Sequence, residues 1–182
     1  MIATALRQWV TATVLTVLAL GATTARAADA STWDGDAHSA MRLVAGGGAD
    51  RTAMRAGIEL RLATGWKTYW RYPGDSGVPP RFDFSKSTNV KSVTVRWPAP
   101  HRFSDESGAS IGYKDGVLLP LDIVPINPGQ PVTLRVTLEY AICEKLCVPA
   151  AGSAMLGLGA ASSFDAALAA AEAKVQIGRA HV

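Results

Sequence analysis

Cys143 and Cys147 are the only cysteines among the 182 residues, separated by three residues in the run Y-A-I-C-E-K-L-C-V-P from Tyr140 to Pro149. Thiols this close stay together after reduction, as a protein cycling between dithiol and disulfide requires. Four residues of extended chain span about 13 Å, whereas a disulfide needs Cα atoms roughly 4.4–6.8 Å apart, so the chain must turn between them. One helical turn over Glu144, Lys145 and Leu146 brings the Cα atoms to around 6 Å, and Val148-Pro149 then ends it. In that geometry local N–H groups and Lys145 favour the thiolate, with Glu144 the other charged residue able to tune it. A bridge closing so short a loop stabilises by only about 2 kcal/mol, against roughly 4.7 for one closing a hundred residues, which favours function over scaffolding. Two other readings stay open: a structural bridge at a strand end, and a soft Cu(I) site using both thiolates and a Met such as Met155. His38, His101 and His181 are expected to be solvated, and no phosphate loop, G-x-S-x-G or H-E-x-x-H is present to support nucleotide or hydrolase chemistry.

Whether such a pair is oxidised depends on compartment. Arg7, an apolar run from Trp9 to Leu20 and the Ala25-Arg26-Ala27 site have the form of a secretory signal peptide over residues 1–27, cut after Ala27. The run is short of the roughly 20 residues that span a bilayer. Export makes a disulfide the expected state. Beyond residue 27 the balance is 16 basic against 15 acidic residues, which gives no footprint for nucleic acid or an anionic membrane. With 48% hydrophobic and 18% charged residues, the chain suits one globular domain, here residues 28–160, followed by an Ala-rich helix or linker over 161–182. Residues 177–182 carry no readable pattern and have the character of a truncation or a foreign tail.

The elements that must position the cysteines are strands. Ile58, Leu60 and Leu62 alternate with Glu59 and Arg61; Val93, Val95 and Trp97 alternate with Thr94 and Arg96. The clearest strand puts Val132, Leu134, Val136, Leu138, Tyr140 and Ile142 on one face. Val117 to Val124 is interrupted by Pro120, which predicts an edge strand or a bulge. Short strands with regular turn signals, such as Asp115-Gly116 and Asn127-Pro128-Gly129, predict an all-β antiparallel sandwich. Ser162 with Asp165 is a weak capping pattern, and Phe164, Leu168, Ala171 and Val175 share one helical face. Most of the nine aromatics between Trp66 and Tyr113 are expected in the core. Cys143 has the opposite parity to the core positions of its strand, so it is expected to point away from the core and be accessible.

Four motifs in order resemble a known family: G-W-K-T-Y-W-R-Y-P-G-D-S-G at Gly65 to Gly77, W-P-A-P at Trp97 to Pro100, G-Y-K-D-G-V-L-L-P at Gly112 to Pro120, and the cysteine run. Together, over roughly residues 38–158, they resemble the N-terminal periplasmic domain of the thiol:disulfide interchange protein DsbD, with the closer likeness to relatives of the ScsB type associated with copper tolerance. The resemblance implies an immunoglobulin-like sandwich acting as a protein-disulfide reductase. Its redox-active centre is the Cys143–Cys147 pair, with no other cofactor. Electrons come from a membrane-embedded reductase or thioredoxin-like domain and pass to oxidised thioredoxin-fold proteins in the periplasm. It also implies a cap loop over the pair, here residues 101–108, with Phe103 as the shielding aromatic beside Asp105 and Glu106. The chain departs from the best-known member in having fewer residues between its cysteines. Full-length relatives continue into a multi-helix membrane domain and a thioredoxin-like domain, so the expectation here is a fragment or a free-standing domain. N-terminal sequencing of the exported protein should read Ala28 first; an N-terminus at Met1 would mean that the leader is retained.

Overall fold

The computed structural model describes residues 28–47, 52–75, 77–105, 108–159 and 162–175. Residues 1–27, where a signal peptide was expected, Glu106, and residues 177–182 with His181 lie outside these. Among the described residues eleven strands and one helix follow in order: β1 (Asp34–Gly35), β2 (Ser39–Ala45), β3 (Met54–Leu62), β4 (Lys67–Gly74), β5 (Arg81–Asp83), β6 (Val90–Val95), β7 (His101–Asp105), β8 (Gly108–Lys114), β9 (Gly116–Pro125), β10 (Val132–Cys143), β11 (Cys147–Leu158) and α1 (Asp165–Glu172). They form two antiparallel sheets, β1-β2-β3-β9-β6 and β11-β10-β4-β8-β7, with β5 also paired to β10. This is the expected all-β sandwich with a short C-terminal helix.

The alternating strands build the core as their periods require. On β10 the even residues from Val132 to Ile142 are buried and meet Ile58, Leu60 and Leu62 of β3 and Leu119, Leu121 and Ile123 of β9. Tyr113 is buried, and Trp66, Trp70, Phe82, Phe84 and Trp97 pack against the same core. Leu168 and Ala171 are the buried side chains of α1. Leu168 fits over Gly46 and Gly57, where an added Cβ would come within 2.8 Å of it. The Ser162 hydroxyl accepts the Phe164 N–H at 3.0 Å, so the capping pattern makes a local turn while the helix itself starts without a side-chain cap.

Two expectations about strands are corrected. Pro120 lies on β9, between β3 and β6, and so on an inner strand; the irregularity in the β6–β9 pairing falls between Val90 and Ser92 instead. Pro120 is tolerated because its carbonyl, which accepts the Arg96 N–H at 2.7 Å, turns toward β6 just where that strand ends. Its missing N–H faces the same way and leaves the β3 ladder intact. The segment 101–108, expected as a polar loop, runs as β7 to Asp105 and pairs in register with β8, from His101 opposite Gly112 to Asp105 opposite Gly108.

The site end of the sandwich is set by two crossings between the sheets. Residues 63–66 lead from β3 to β4, and Asp115 with Gly116 leads from β8 to β9. Asp115, with φ 65°, ties the two together: its carbonyl accepts the Leu62 N–H at 3.2 Å and its N–H donates to the Trp66 carbonyl at 3.3 Å. Beside this corner β8 approaches β4 so closely that a Cβ on Gly112 would lie 1.9 Å from the Thr68 carbonyl oxygen. Gly112→Ala should therefore push β8 off β4 and destabilise the oxidised domain by about 1–3 kcal/mol in urea unfolding. A change within experimental error would mean that the strands have room to part.

Candidate functional site

The two cysteines face each other at the tip of the β10–β11 hairpin. Cys143 and Cys147 are register partners, joined by a disulfide with their Cα atoms 4.1 Å apart. Glu144, Lys145 and Leu146 form the turn, closed by the Glu144 N–H on the Leu146 carbonyl at 3.3 Å. This corrects the helical turn expected from spacing. A hairpin brings residues four apart into contact as well as a helix does, and here Val148 and Pro149 continue into β11 opposite Ile142 and Ala141. No helix start then lies beside Cys143; its cross-strand neighbour on β4 is Lys67.

The parity expectation holds for direction and fails for accessibility. Cys143 lies off the main core, in a small cluster with Ala141 and Tyr69, yet it is only 2% exposed. Cys147 is exposed. Burial on β10 alternates up to Glu139 and then becomes continuous, because from Ala141 onward a second layer covers the outer face. That layer is Tyr69. Its hydroxyl oxygen lies 3.0 Å from Cys143 Sγ and 3.2 Å from Cys147 Sγ.

Tyr69 is aimed by the pairing of β4 with β10, Lys67 opposite Cys143 and Thr68 opposite Ile142. The buried Thr68 hydroxyl donates to the Ala141 carbonyl at 2.9 Å, which locks that register from the core side. The odd residues Lys67 and Tyr69 then stand on the cysteine face, while Trp66 and Trp70 pack against the core. Gly77 lies against the ring edge, where a Cβ would meet Tyr69 Cδ1 at 2.7 Å. A phenol donates to sulfur, and does so more strongly when the sulfur carries a thiolate charge. The arrangement can therefore shield one sulfur, hold a proton donor on both, and leave the other sulfur open.

Phe103 is half-buried on β7, with β4 and β8 between it and β10. It reaches the site through Lys67, whose Nζ sits 5.5 Å from the Phe103 ring centroid and donates to Ser110 Oγ at 3.4 Å. Asp105 ends β7 opposite Gly108. Glu144 and Lys145 are exposed in the turn beside the sulfurs, and Glu144 leans toward Gly65, where a Cβ would lie 3.6 Å from its carboxylate. Met155 stands on β11 opposite Arg135, eight residues along the strand from Cys147 and so about 26 Å away, which removes it from any shared site with the cysteines. His38 and His101 are both exposed, as expected; the His38 ring also lies 4.6 Å from that of Trp66, tilted by 30°. The residues that sequence reasoning missed are Tyr69, Lys67 and Thr68. Their alternation in K-T-Y-W was a usable sign of opposite faces, but which strand lay alongside was not.

A family model described as the N-terminal domain of thiol:disulfide interchange protein DsbD matches residues 38–156. Among solved structures, the N-terminal periplasmic domain of ScsB from Proteus mirabilis is similar at 26% identity and a TM-score of 0.68, covering 82% of this chain and 60% of that one. The chain thus spans about three fifths of that structure. The yeast GGA1 GAE domain is a more distant likeness at 13% identity and a TM-score of 0.34, covering 66% of this chain and 92% of that one. Among curated proteins, none matches significantly.

Tyr69→Phe removes the hydroxyl and keeps the ring. In the reduced domain a thiolate would lose a charge-assisted hydrogen bond worth about 1.5–3 kcal/mol, so in the Cys147→Ala background the midpoint of Cys143 thiolate ultraviolet absorbance against pH should rise by about one pH unit or more. An unmoved profile would show that the phenol does not donate to that sulfur.

Proposed function

Because the chain belongs to the family of DsbD N-terminal domains, we propose that it is a periplasmic thiol–disulfide oxidoreductase domain. It takes electron pairs from a membrane-embedded reductase or thioredoxin-like domain and delivers them to oxidised thioredoxin-fold proteins. The observation that carries this reading is the asymmetry of the pair, Cys143 buried under Tyr69 and Cys147 open at the hairpin tip.

The asymmetry supports one division of roles. In the reduced domain the Cys147 thiolate attacks one sulfur of the partner's disulfide; the new S–S bond forms as the partner's own bond breaks, and the partner's other sulfur leaves as a thiolate. The Cys143 thiolate then attacks Cys147 Sγ, restoring Cys143–Cys147 and releasing the partner as a dithiol, so two electrons have moved. Re-reduction runs the same steps backward, with the donor's thiolate entering at Cys147 because Cys143 is covered. Lys67, the cross-strand neighbour of Cys143, and Lys145 add positive charge near the leaving sulfur, and the Tyr69 hydroxyl hydrogen-bonds it.

The bridge adds little to the fold. β10 and β11 pair without a break from Val132 opposite Leu158 to the cysteines, and the disulfide closes only the turn at the end of that ladder. Both redox states are therefore expected to keep the sandwich, as a carrier needs. The reduction potential of residues 28–176, equilibrated in redox buffers with folding monitored alongside, should fall between about −180 and −270 mV, where known carriers lie. A value below about −300 mV, or unfolding on reduction, would leave an inert structural bridge. Cys143→Ala should accumulate a mixed disulfide with an oxidised thioredoxin-fold protein, and Cys147→Ala should trap far less; the reverse ranking would overturn the assignment of roles.

A further inference from the structure

Leu146 is 79% exposed, more than Tyr72 at 65%, Ile126 at 59% or Val78 at 57%. Nothing in the fold calls for it. The turn it occupies is closed by backbone, the Glu144 N–H on the Leu146 carbonyl, and turns of this kind favour Gly, Asn, Asp or Ser. An aliphatic side chain standing in water at a hairpin tip stabilises nothing in the free domain.

Its position is informative. Leu146 immediately precedes Cys147, the open sulfur. A mixed disulfide at Cys147 places the incoming sulfur about 2 Å from Cys147 Sγ and the incoming Cα within about 7 Å of the Cys147 Cα. Leu146, exposed and with its Cα about 3.8 Å from that of Cys147, lies within reach of that contact. Around this apolar side chain, Glu144 and Lys145 supply charged groups on the same turn. An apolar centre with a polar rim is the usual anatomy of a protein interface.

We infer that Leu146 is the docking anchor for the redox partner: a thioredoxin-fold protein whose exposed cysteine is framed by apolar surface, closing over Leu146 as the mixed disulfide forms. The inference rests on the exchange reading above and names the surface that would select proteins over small thiols.

The test is a ratio of two rates, reduction of the Cys143–Cys147 disulfide by reduced thioredoxin and by dithiothreitol, in the wild-type domain, in Leu146→Ser and in Leu146→Met. A small thiol needs no docking surface, so the ratio isolates the contact. Burying one leucine predicts a fall of about ten- to a hundredfold in the ratio for Leu146→Ser, with most of it regained in Leu146→Met. Since the side chain is exposed, neither variant disturbs the core, and circular dichroism of each should match wild type. A Leu146→Ser ratio equal to wild type, with wild type clearly preferring thioredoxin, would overturn the anchor and leave the exchange reading standing. So would a concentration-dependent dimer lost in Leu146→Ser with the ratio unchanged, because a second copy of the chain would then be what covers the leucine. A wild-type ratio near one would overturn the exchange reading and this inference with it.

Discussion

The pairing of β4 with the last two residues of β10 is the constraint on which the site depends. It covers Thr68 opposite Ile142 and Lys67 opposite Cys143, and it is secured by the buried Thr68 hydroxyl on the Ala141 carbonyl. Farther down, β10 pairs with β5 on residues 137–139. Strands alternate their side chains, so a slip of β4 by one residue would turn Tyr69 into the core and bring the core-facing Thr68 to the sulfurs. The tight approach at Gly112 and the crossing at Asp115 hold the same strand from its other edge. The chemistry of one sulfur pair is thus tied to the fit of three neighbouring strands.

This construction separates holding the fold from holding the disulfide. The sandwich core lies on the inner faces of both sheets, and Cys143 sits in a separate cluster from it. The disulfide lies on the outer face of one sheet, with only Tyr69 and Ala141 in its cluster. Burial of Cys143 excludes solvent and bulky reagents, while exposure of Cys147 directs them to one point of entry. A disulfide with both sulfurs buried would exchange slowly, and one with both open would not distinguish partners by geometry.

Much of the fold was legible in local pattern. The alternation from Val132 to Ile142 and from Ile58 to Leu62 identified strands and their buried faces, and Leu168 and Ala171 did the same for the helix. β11 was less legible: its Gly and Ala residues give it little contrast between faces, and it is held mainly by its partner β10. The hairpin over residues 144–146 was missed because spacing alone is satisfied by a helical turn and by a hairpin alike. Nor did position in sequence show that Met155 stands far along the strand from Cys147, while Tyr69, more than seventy residues earlier in the chain, touches both sulfurs.

By itself the sequence determined the strand class, the face on which Cys143 lies, the closeness of the two thiols and the motifs shared with the DsbD family. Each of these follows from residue type and near-neighbour spacing, which every strand carries within itself. Tertiary structure alone decided that Cys143 is covered, that Tyr69 covers it, and that Cys147 is the open sulfur. These depend on which strands lie side by side, and strand pairing is a non-local choice made by the packing of the whole core. A period of two says which way a side chain points, and only the assembled sheet says what it meets there.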